Sequence, residues 1–240
     1  MRVYLLLAHP DKTSFNGALA DAYEQTARQK GHEVRRQNLG DLRFDPILWH
    51  GYHKVQQLEP DLLAAQANIT WCDHWVIFYP IWWGSVPPLL KGFFDRALYS
   101  GFAYRYHEHD PMWDGLLTGR SAQVITTSDA PRIWTFLAYR NSDLGTVKYA
   151  TLRFCGVKPV RVMRLDKLKD SGNGTSTGSA AAYPRHRLSR AARSMLFGQW
   201  AGLVGVRTCM WSSIPLAPGT PSTMTLITRR SVSSWIVPPR

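Results

Sequence analysis

The feature that most constrains this fold is a run over residues 76–106 that predicts a strand, a short loop and a helix in close succession. Its first four residues, VIFY, are β-branched or aromatic and are typical of a buried strand, which Pro80 ends. The pair Pro87 and Pro88 suits the first turn of a helix, where a missing amide hydrogen costs nothing. Apolar residues then recur at helical spacing as far as Leu98. This order predicts an α/β unit with a loop just past the carboxyl end of a strand.

Two adjacent tryptophans, Trp82 and Trp83, occupy that loop between Pro80 and Gly84. Open α/β sheets bind ligands at the carboxyl ends of their strands. One interpretation is that both rings fill the core. The other, which we favour for an adjacent pair bounded by proline and glycine, is that they stack on a flat aromatic ligand.

The start of the chain repeats this arrangement. Residues 2–8, RVYLLLA, predict a fully buried strand, and the polar loop 9–16, HPDKTSFN, leads into a helix that begins near Ser14 or Phe15. Hydroxyl groups and the first helical amides in this loop would favour an anion. An ordinary serine cap explains the same residues, and the glycine-rich nucleotide fingerprints are absent from the loop.

Strands and helices alternate through the first 165 residues, which predicts a doubly wound, mostly parallel sheet of five strands. The predicted strands are residues 2–8, 32–38, 75–79, 121–127 and 157–165. The predicted helices start near Ser14, run over 60–67, follow Pro87 and Pro88, and cover 144–154. A polar excursion is expected at 104–119, and 129–142 is expected to be irregular or partly helical. The last strand is expected at an edge, because Pro159 cannot donate to a ladder.

Charge divides the chain into two parts. Residues 1–170 hold 21 Lys and Arg against all 17 Asp and Glu, whereas residues 171–240 hold eight Arg and no acid. We therefore predict a folded domain at 1–170 and an irregular basic tail at 171–240. The tail has apolar residues without a period, so we interpret it as aberrant sequence in place of a native terminus, with a genuine basic appendage as the alternative. A mildly basic folded domain suits an anionic nucleotide cofactor and gives no indication of nucleic-acid binding.

Cysteine usage and hydropathy indicate a cytoplasmic protein that does not insert into a membrane. Cys72, Cys155 and Cys209 have no metal-ligand or CxxC spacing, so we expect reduced, mostly buried thiols. The one early apolar run is too short for a signal segment or a membrane span. His107 and His109 form an HxH pair without a third ligand, and we expect no metal site.

Three motifs in this order resemble the flavodoxin-like NAD(P)H:quinone oxidoreductase family: AHPDKTSFNGAL at 8–19, PIWWGSVPPLLKGFFDR at 80–96 with GFAYRY at 101–106, and FCGVKPV at 154–160. The resemblance covers residues 1–166. It implies a flavodoxin-like fold, a bound flavin (FAD or FMN), NAD(P)H as co-substrate, a quinone-like aromatic acceptor and a homodimer.

The resemblance also assigns residues. It implies that cofactor-binding residues come from the first loop, the tryptophan loop, the loop after the fourth strand and one helix: His9, Thr13, Ser14, Phe15, Asn16, Gln66, Pro80, Ile81, Trp82, Trp83, Gly84, Thr126, Thr127, Ser128 and Asp129. Tyr104 and Tyr106 match a pair that lines the substrate pocket, commonly across a dimer interface. Asp129 replaces a glycine found in animal members, and Gly84 replaces a common aromatic residue, which predicts a roomier pocket.

The expected function is two-electron hydride transfer from NAD(P)H through the flavin to a quinone, by a ping-pong scheme in which no side chain need be an acid or nucleophile. The alternatives are a flavin-binding ancillary subunit of a potassium-efflux transporter, a flavodoxin-type electron carrier, or an inactive product of the aberrant terminus. A carrier of that type is usually acidic, which residues 1–170 are not.

Overall fold

A computed structural model of the chain describes residues 1–54, 56–166 and 168, and the predicted tail at 171–240 lies outside them. The strands are β1 Arg2–Leu7, β2 Glu33–Asn38, β3 His74–Pro80, β4 Tyr104–Tyr106, β5 Trp113–Gly115, β6 Ser121–Thr127 and β7 Val160–Leu165. The helices are α1 Phe15–Gln29, α2 Pro60–Trp71, α3 Pro88–Ala97, α4 Arg132–Leu137 and α5 Ser142–Leu144, with a 3₁₀ turn at Leu39–Asp41 and a π-helical segment at Gly145–Arg153.

Five strands form one parallel sheet in the order β2-β1-β3-β6-β7, which confirms the doubly wound fold. The register aligns the strand ends, since Leu7 pairs with Phe78 and Tyr79 pairs with Thr126. The chain leaves β1, β3 and β6 at the same edge of the sheet. Because the order reverses beside β1, the loops after these neighbouring strands lie at a switch point, where doubly wound sheets bind ligands.

Each face of the sheet has its own core. Alternate residues of β1 face opposite sides, so that Leu5 packs with α1 and Leu6 packs with α2 and α3. All five apolar residues after Arg2 in β1 are buried, as a strand covered on both faces requires. Helices therefore pack on both faces of the sheet, and the loops that follow the strands start from buried positions.

The structure differs from the sequence expectations in three places. The polar excursion contains a two-stranded antiparallel sheet, β4 with β5, whose strands are too short to show a pattern. The predicted helix at 144–154 is present, but over Gly145–Arg153 its hydrogen bonding is π-helical. The last strand begins at Val160, because the segment before it contains Pro159 and joins the sheet through the carbonyl of Pro159. In the described part of the chain, no helix is long and apolar enough to cross a bilayer.

Candidate functional site

Three loops meet at the carboxyl edge of the sheet: the first loop (residues 8–14), the tryptophan loop (81–87) and the loop after β6 (128–131). The Ile81 amide donates to the Thr127 carbonyl at 2.8 Å, and Asn16 Nδ2 donates to Thr127 Oγ1 at 2.9 Å. The His9 ring lies edge-on to Trp82 with 5.7 Å between centroids. The structure thus brings together residues from all three predicted cofactor loops.

The first loop is built to hold negative charge. Ser14 is the N-cap of α1, and its hydroxyl accepts from the Gly17 amide at 3.3 Å. The Thr13 amide and hydroxyl both donate to an Asp11 carboxylate oxygen, at 2.7 Å each, which lowers the pKa of Asp11. The loop's donors therefore already stabilise an anion, at the positive end of a helix.

The tryptophan loop presents its rings to solvent, so the interpretation that both fill the core is wrong. Trp82 is 39% exposed and Trp83 is 99% exposed. Trp83 also has a left-handed backbone, with φ of 50°, which costs free energy in a residue other than glycine. An exposed aromatic ring on a strained loop is a feature expected of a binding site and has no role in packing.

Gly84 is required for close contact between this loop and Tyr139. Its φ is +72°, and a Cβ there would come within 2.7 Å of the Tyr139 ring. The Tyr139 ring therefore fills the space that a side chain at Gly84 would occupy, and the expectation of a roomier pocket stays a prediction. No local pattern in the sequence indicated that Tyr139 would lie there.

The loop after β6 begins in the core and emerges at Asp129. Thr126, Thr127 and Ser128 are buried, and Asp129 is exposed. The Ser128 amide donates to the Leu165 carbonyl at 2.9 Å, so the loop stays attached to β7 for one residue beyond the strand. The two strands together fix the direction in which this loop leaves the sheet.

Three predicted residues lie elsewhere. Gln66 is buried in α2, and its Nε2 donates to the Ala97 carbonyl at 2.8 Å, at the end of α3. The rings of Tyr104 and Tyr106 contact each other edge-on, with 5.3 Å between their centroids, and both pack on Phe154. Both tyrosines line a cavity of about 640 Å³ beside α3, and none of the predicted cofactor residues lines it.

The polar groups at the loop junction, where the first loop, the tryptophan loop and the loop after β6 meet, fit a flavin. Asn16 Oδ1 is buried and has no hydrogen-bond partner among the described residues, so a ligand donor would satisfy it. Burial lowers the pKa of His9, which keeps its ring neutral near pH 7. Exposed indole rings and a helix N-terminus supply the two other properties that an aromatic phosphate ester needs.

Cys72 and Cys155 are buried and free, and His107 lies on the surface. Burial raises the pKa of Cys72 to about 11 and of Cys155 to about 12, as expected for reduced buried thiols. Within the ranges that the structure describes, no three His, Cys, Asp or Glu side chains form a metal-binding group. His107 instead contacts Asp110 at 2.8 Å and Asp114 at 3.3 Å.

One group of residues near the site was missed by the sequence reasoning. Arg164 on β7 pairs with Asp143 at 2.7 Å, and Tyr79 Oη donates to Asp143 Oδ2 at 3.2 Å. Along the chain, Asp143 is 64 positions from Tyr79 and 21 positions from Arg164. Because these polar residues lie on separate strands and a short helix, no local pattern in the sequence predicted that they would meet.

Known proteins are similar to this chain in sequence and in fold. A family model described as the flavodoxin-like fold matches residues 1–187. NAD(P)H dehydrogenase (quinone) 1 of Cavia porcellus is 30% identical over 180 residues, which cover 65% of this chain and 64% of that protein. The match thus spans slightly less than two thirds of that relative's length.

Two solved structures extend the comparison. The crystal structure of Smu.1420 from Streptococcus mutans has a TM-score of 0.65 and 30% identity, and covers 81% of this chain and 98% of that one. An FMN-dependent NADH-azoreductase from Bacillus anthracis, solved in complex with FMN, has the same fold, with a TM-score of 0.56 and 17% identity over 84% of this chain and 98% of that one. The family model covers most of the chain, and the chain therefore belongs to the family that this model describes by its flavodoxin-like fold.

Proposed function

We propose that this protein is a flavin-dependent NAD(P)H oxidoreductase that passes two electrons to a quinone or a similar aromatic acceptor. The observation that carries the proposal is the meeting of an anion-holding helix N-terminus with two solvent-facing tryptophans at one edge of the sheet. A flavin phosphate ester needs both features side by side. The Cavia porcellus relative is named for NAD(P)H and quinone, which supports the same reaction class.

The residues at the loop junction would hold the flavin without reacting. Ser14 would bind the phosphate, Thr13 would do so by exchanging its two hydrogen bonds to Asp11, and Asn16 would accept a hydrogen bond through its unsatisfied oxygen. Trp82 and Trp83 would pack on the ring system, and the end of β6 at Thr127 with the loop that follows it would border its polar edge. A bound flavin supplies the two-electron carrier that takes hydride from NAD(P)H and gives it to the acceptor.

The chain's own contribution to the reaction is therefore binding and orientation. Both aromatic substrates would use the exposed face beside Trp83 in turn, which predicts ping-pong kinetics. Neither described cysteine can act as a thiolate near pH 7, because burial raises both pKa values well above that pH. The reduced thiols also support a cytoplasmic location.

We further propose a homodimer in which Tyr104 and Tyr106 serve the partner's site. In one chain these rings line a cavity that none of the predicted cofactor residues reaches, so a second copy would bring the two half-sites together. A variant carrying Trp83→Ala and a variant carrying Tyr104→Ala with Tyr106→Ala would each be impaired. Mixing the two would restore activity if the site is shared, and would restore none if each chain works alone.

The test of the proposed function is the visible spectrum of the purified full-length protein. The apoprotein is titrated with FMN and, separately, with FAD; NADPH or NADH is then added under anaerobic conditions, followed by a quinone. We expect a flavin band that bleaches with the reduced nicotinamide and returns with the quinone. Trp83→Ala is the matched variant, expected to weaken flavin binding while the circular dichroism spectrum stays unchanged.

The outcomes separate the alternatives. A protein that takes up neither FMN nor FAD refutes the flavin site. A protein that binds flavin but is reduced by neither NADPH nor NADH refutes the oxidoreductase and favours the ancillary-subunit or carrier role. A flavin that bleaches but does not reoxidise with quinone refutes the acceptor class alone.

A further inference from the structure

A nearly solvent-free ion pair lies behind the loop junction. Arg164 Nη2 contacts both carboxylate oxygens of Asp143, at 2.7 and 2.9 Å. The exposed fraction is 8% for the Arg164 side chain and 2% for the Asp143 side chain. A buried pair with such contacts is costly to form and costly to break on one side alone.

The same guanidinium fixes a strained turn. Arg164 Nη1 donates to Thr135 Oγ1 at 3.0 Å and to Asn141 Oδ1 at 2.9 Å. Asn141 and its neighbour Arg140 are both left-handed, with φ of 52° and 50°. Two consecutive left-handed residues that are not glycine are unfavourable unless the surroundings hold them. Arg164 supplies the side-chain contacts that hold this reversal between α4 and α5.

The turn at residues 139–142 contacts the tryptophan loop and holds it in place. The Ser142 hydroxyl donates to the Gly84 carbonyl, and the Tyr139 ring packs against Gly84. Tyr79, the residue before Pro80, donates its hydroxyl to Asp143 Oδ2. Residues on both sides of the strained turn therefore contact the two ends of the segment that carries Trp82 and Trp83.

We propose that Asp143 and Arg164 are positioning residues for the tryptophan loop. They do not lie in the loop; they fix the turn at 139–142, and the turn fixes the backbone of Gly84 and thereby the angle of Trp83. The part of this inference that concerns a cofactor rests on the proposed function. The part that concerns the loop's geometry rests on the apoprotein alone.

The choice of side chains supports positioning over simple packing. Apolar residues of similar volume usually stabilise a buried site at least as well as an ion pair does. A pair that makes directional bonds to Thr135 and Asn141 does what apolar residues cannot, because it selects one backbone path through the turn. Replacing both partners together should therefore leave the fold stable and release the turn.

The experiment compares the wild-type protein with the double variant Asp143→Leu/Arg164→Met, both as apoprotein. Trypsin cleavage after the exposed Arg140 and hydrogen exchange over residues 80–85 and 138–145 report the turn and the loop. We expect both rates to rise by at least about tenfold, as expected when contacts holding two strained residues are lost. The midpoint of thermal unfolding is expected to stay within about 4 °C, roughly 1–2 kcal/mol at this chain length.

Titration with FMN and with FAD then tests the link to the site. We expect the dissociation constant of the flavin that binds to rise about tenfold or more in the double variant. Tyr79→Phe, which removes the hydroxyl bond to Asp143 and leaves the ion pair in place, is the milder variant and should show the same changes at smaller size. Arg120→Met is the matched control, because Arg120 binds the carbonyls of Ile69 and Thr70 at the opposite edge of the sheet.

A folded double variant with unchanged cleavage, exchange and flavin affinity would overturn the inference. So would equal changes in Arg120→Met, since the effect would then be general destabilisation. If the turn and loop loosen in the double variant but wild-type protein binds neither FMN nor FAD, the positioning role stands and the proposed function fails. If flavin binds to both with equal affinity despite a loosened loop, the cofactor part of the inference is wrong.

Discussion

Gly17 offers the sharpest test that the first loop holds the cofactor. A Cβ on Gly17 would lie 1.9 Å from the Lys12 carbonyl oxygen and 2.7 Å from its carbon, both of them backbone atoms. Because non-bonded heavy atoms prefer separations of about 3.5 Å, Gly17→Ala must push the loop or α1 away by about 1.5 Å. Overpacking of this kind costs about 1–3 kcal/mol of unfolding free energy. The melting temperature should fall by about 2–4 °C per kcal/mol.

The same displacement moves Thr13 and Ser14 away from an anion. A hydrogen bond to a charged group contributes about 1.5–3 kcal/mol, so the loss of one raises a dissociation constant by about tenfold to a hundredfold. We expect this weakening for FMN or FAD, measured by quenching of flavin fluorescence on titration with the apoprotein. Unfolding is followed in parallel by circular dichroism, so that affinity is read only where the protein is folded.

Two further glycines make this experiment specific. Gly40→Ala presses the same loop from its other side, since its Cβ would lie 1.9 Å from the Pro10 carbonyl oxygen, and it should weaken flavin binding in the same way. Gly145→Ala meets nothing within 4 Å and has helical backbone angles, so it should leave flavin binding unchanged and should not lower the melting temperature. If Gly17→Ala and Gly40→Ala both lower the melting temperature yet bind flavin as the wild type does, the loop does not hold the cofactor.

Three more predictions concern single side chains. Burial lowers the pKa of His74 to about 4, so between about pH 4 and 6.5 the unfolded chain binds more protons at this residue. On acidification through that window His74 should lower the unfolding free energy by up to about 1.4 kcal/mol per pH unit, and urea unfolding of His74→Gln should show a pH slope smaller by that amount. Arg96→Met leaves the carbonyls of Asp45 and Gln57 without their donor, so it should lower the unfolding free energy by about 2–3 kcal/mol and speed the proteolysis of residues 45–57. Proteolysis at the wild-type rate would show that Arg96 does not anchor this loop. Trp83→Ala should leave the unfolding free energy within about 0.5 kcal/mol because the ring is exposed, but should weaken flavin binding by about 1–3 kcal/mol; unchanged affinity would mean that Trp83 does not stack on the ring.

Much of the fold could be predicted because its cause is local. After Arg2 the run in β1 is apolar at every position, which only a strand buried on both faces tolerates, and Pro88 opens α3 as a proline at a first turn should. The position of Trp82 and Trp83 just past β3 likewise followed from the order of strand, proline and helix. The short strands β4 and β5 were missed, because three residues are too few to show a period.

The sequence by itself determined the alternating strands and helices, the loop that carries the two tryptophans and the cap at Ser14, since each depends on neighbours within a few residues. Only the tertiary structure decided that Tyr139 fills the space at Gly84, that Gln66 binds the end of α3, and that Arg164 and Asp143 meet behind the tryptophan loop. These contacts join residues on different elements, and their geometry depends on how the sheet aligns its strand ends. Local periodicity specifies which face of an element is buried, but the partner that a buried polar group finds is fixed only when the elements pack.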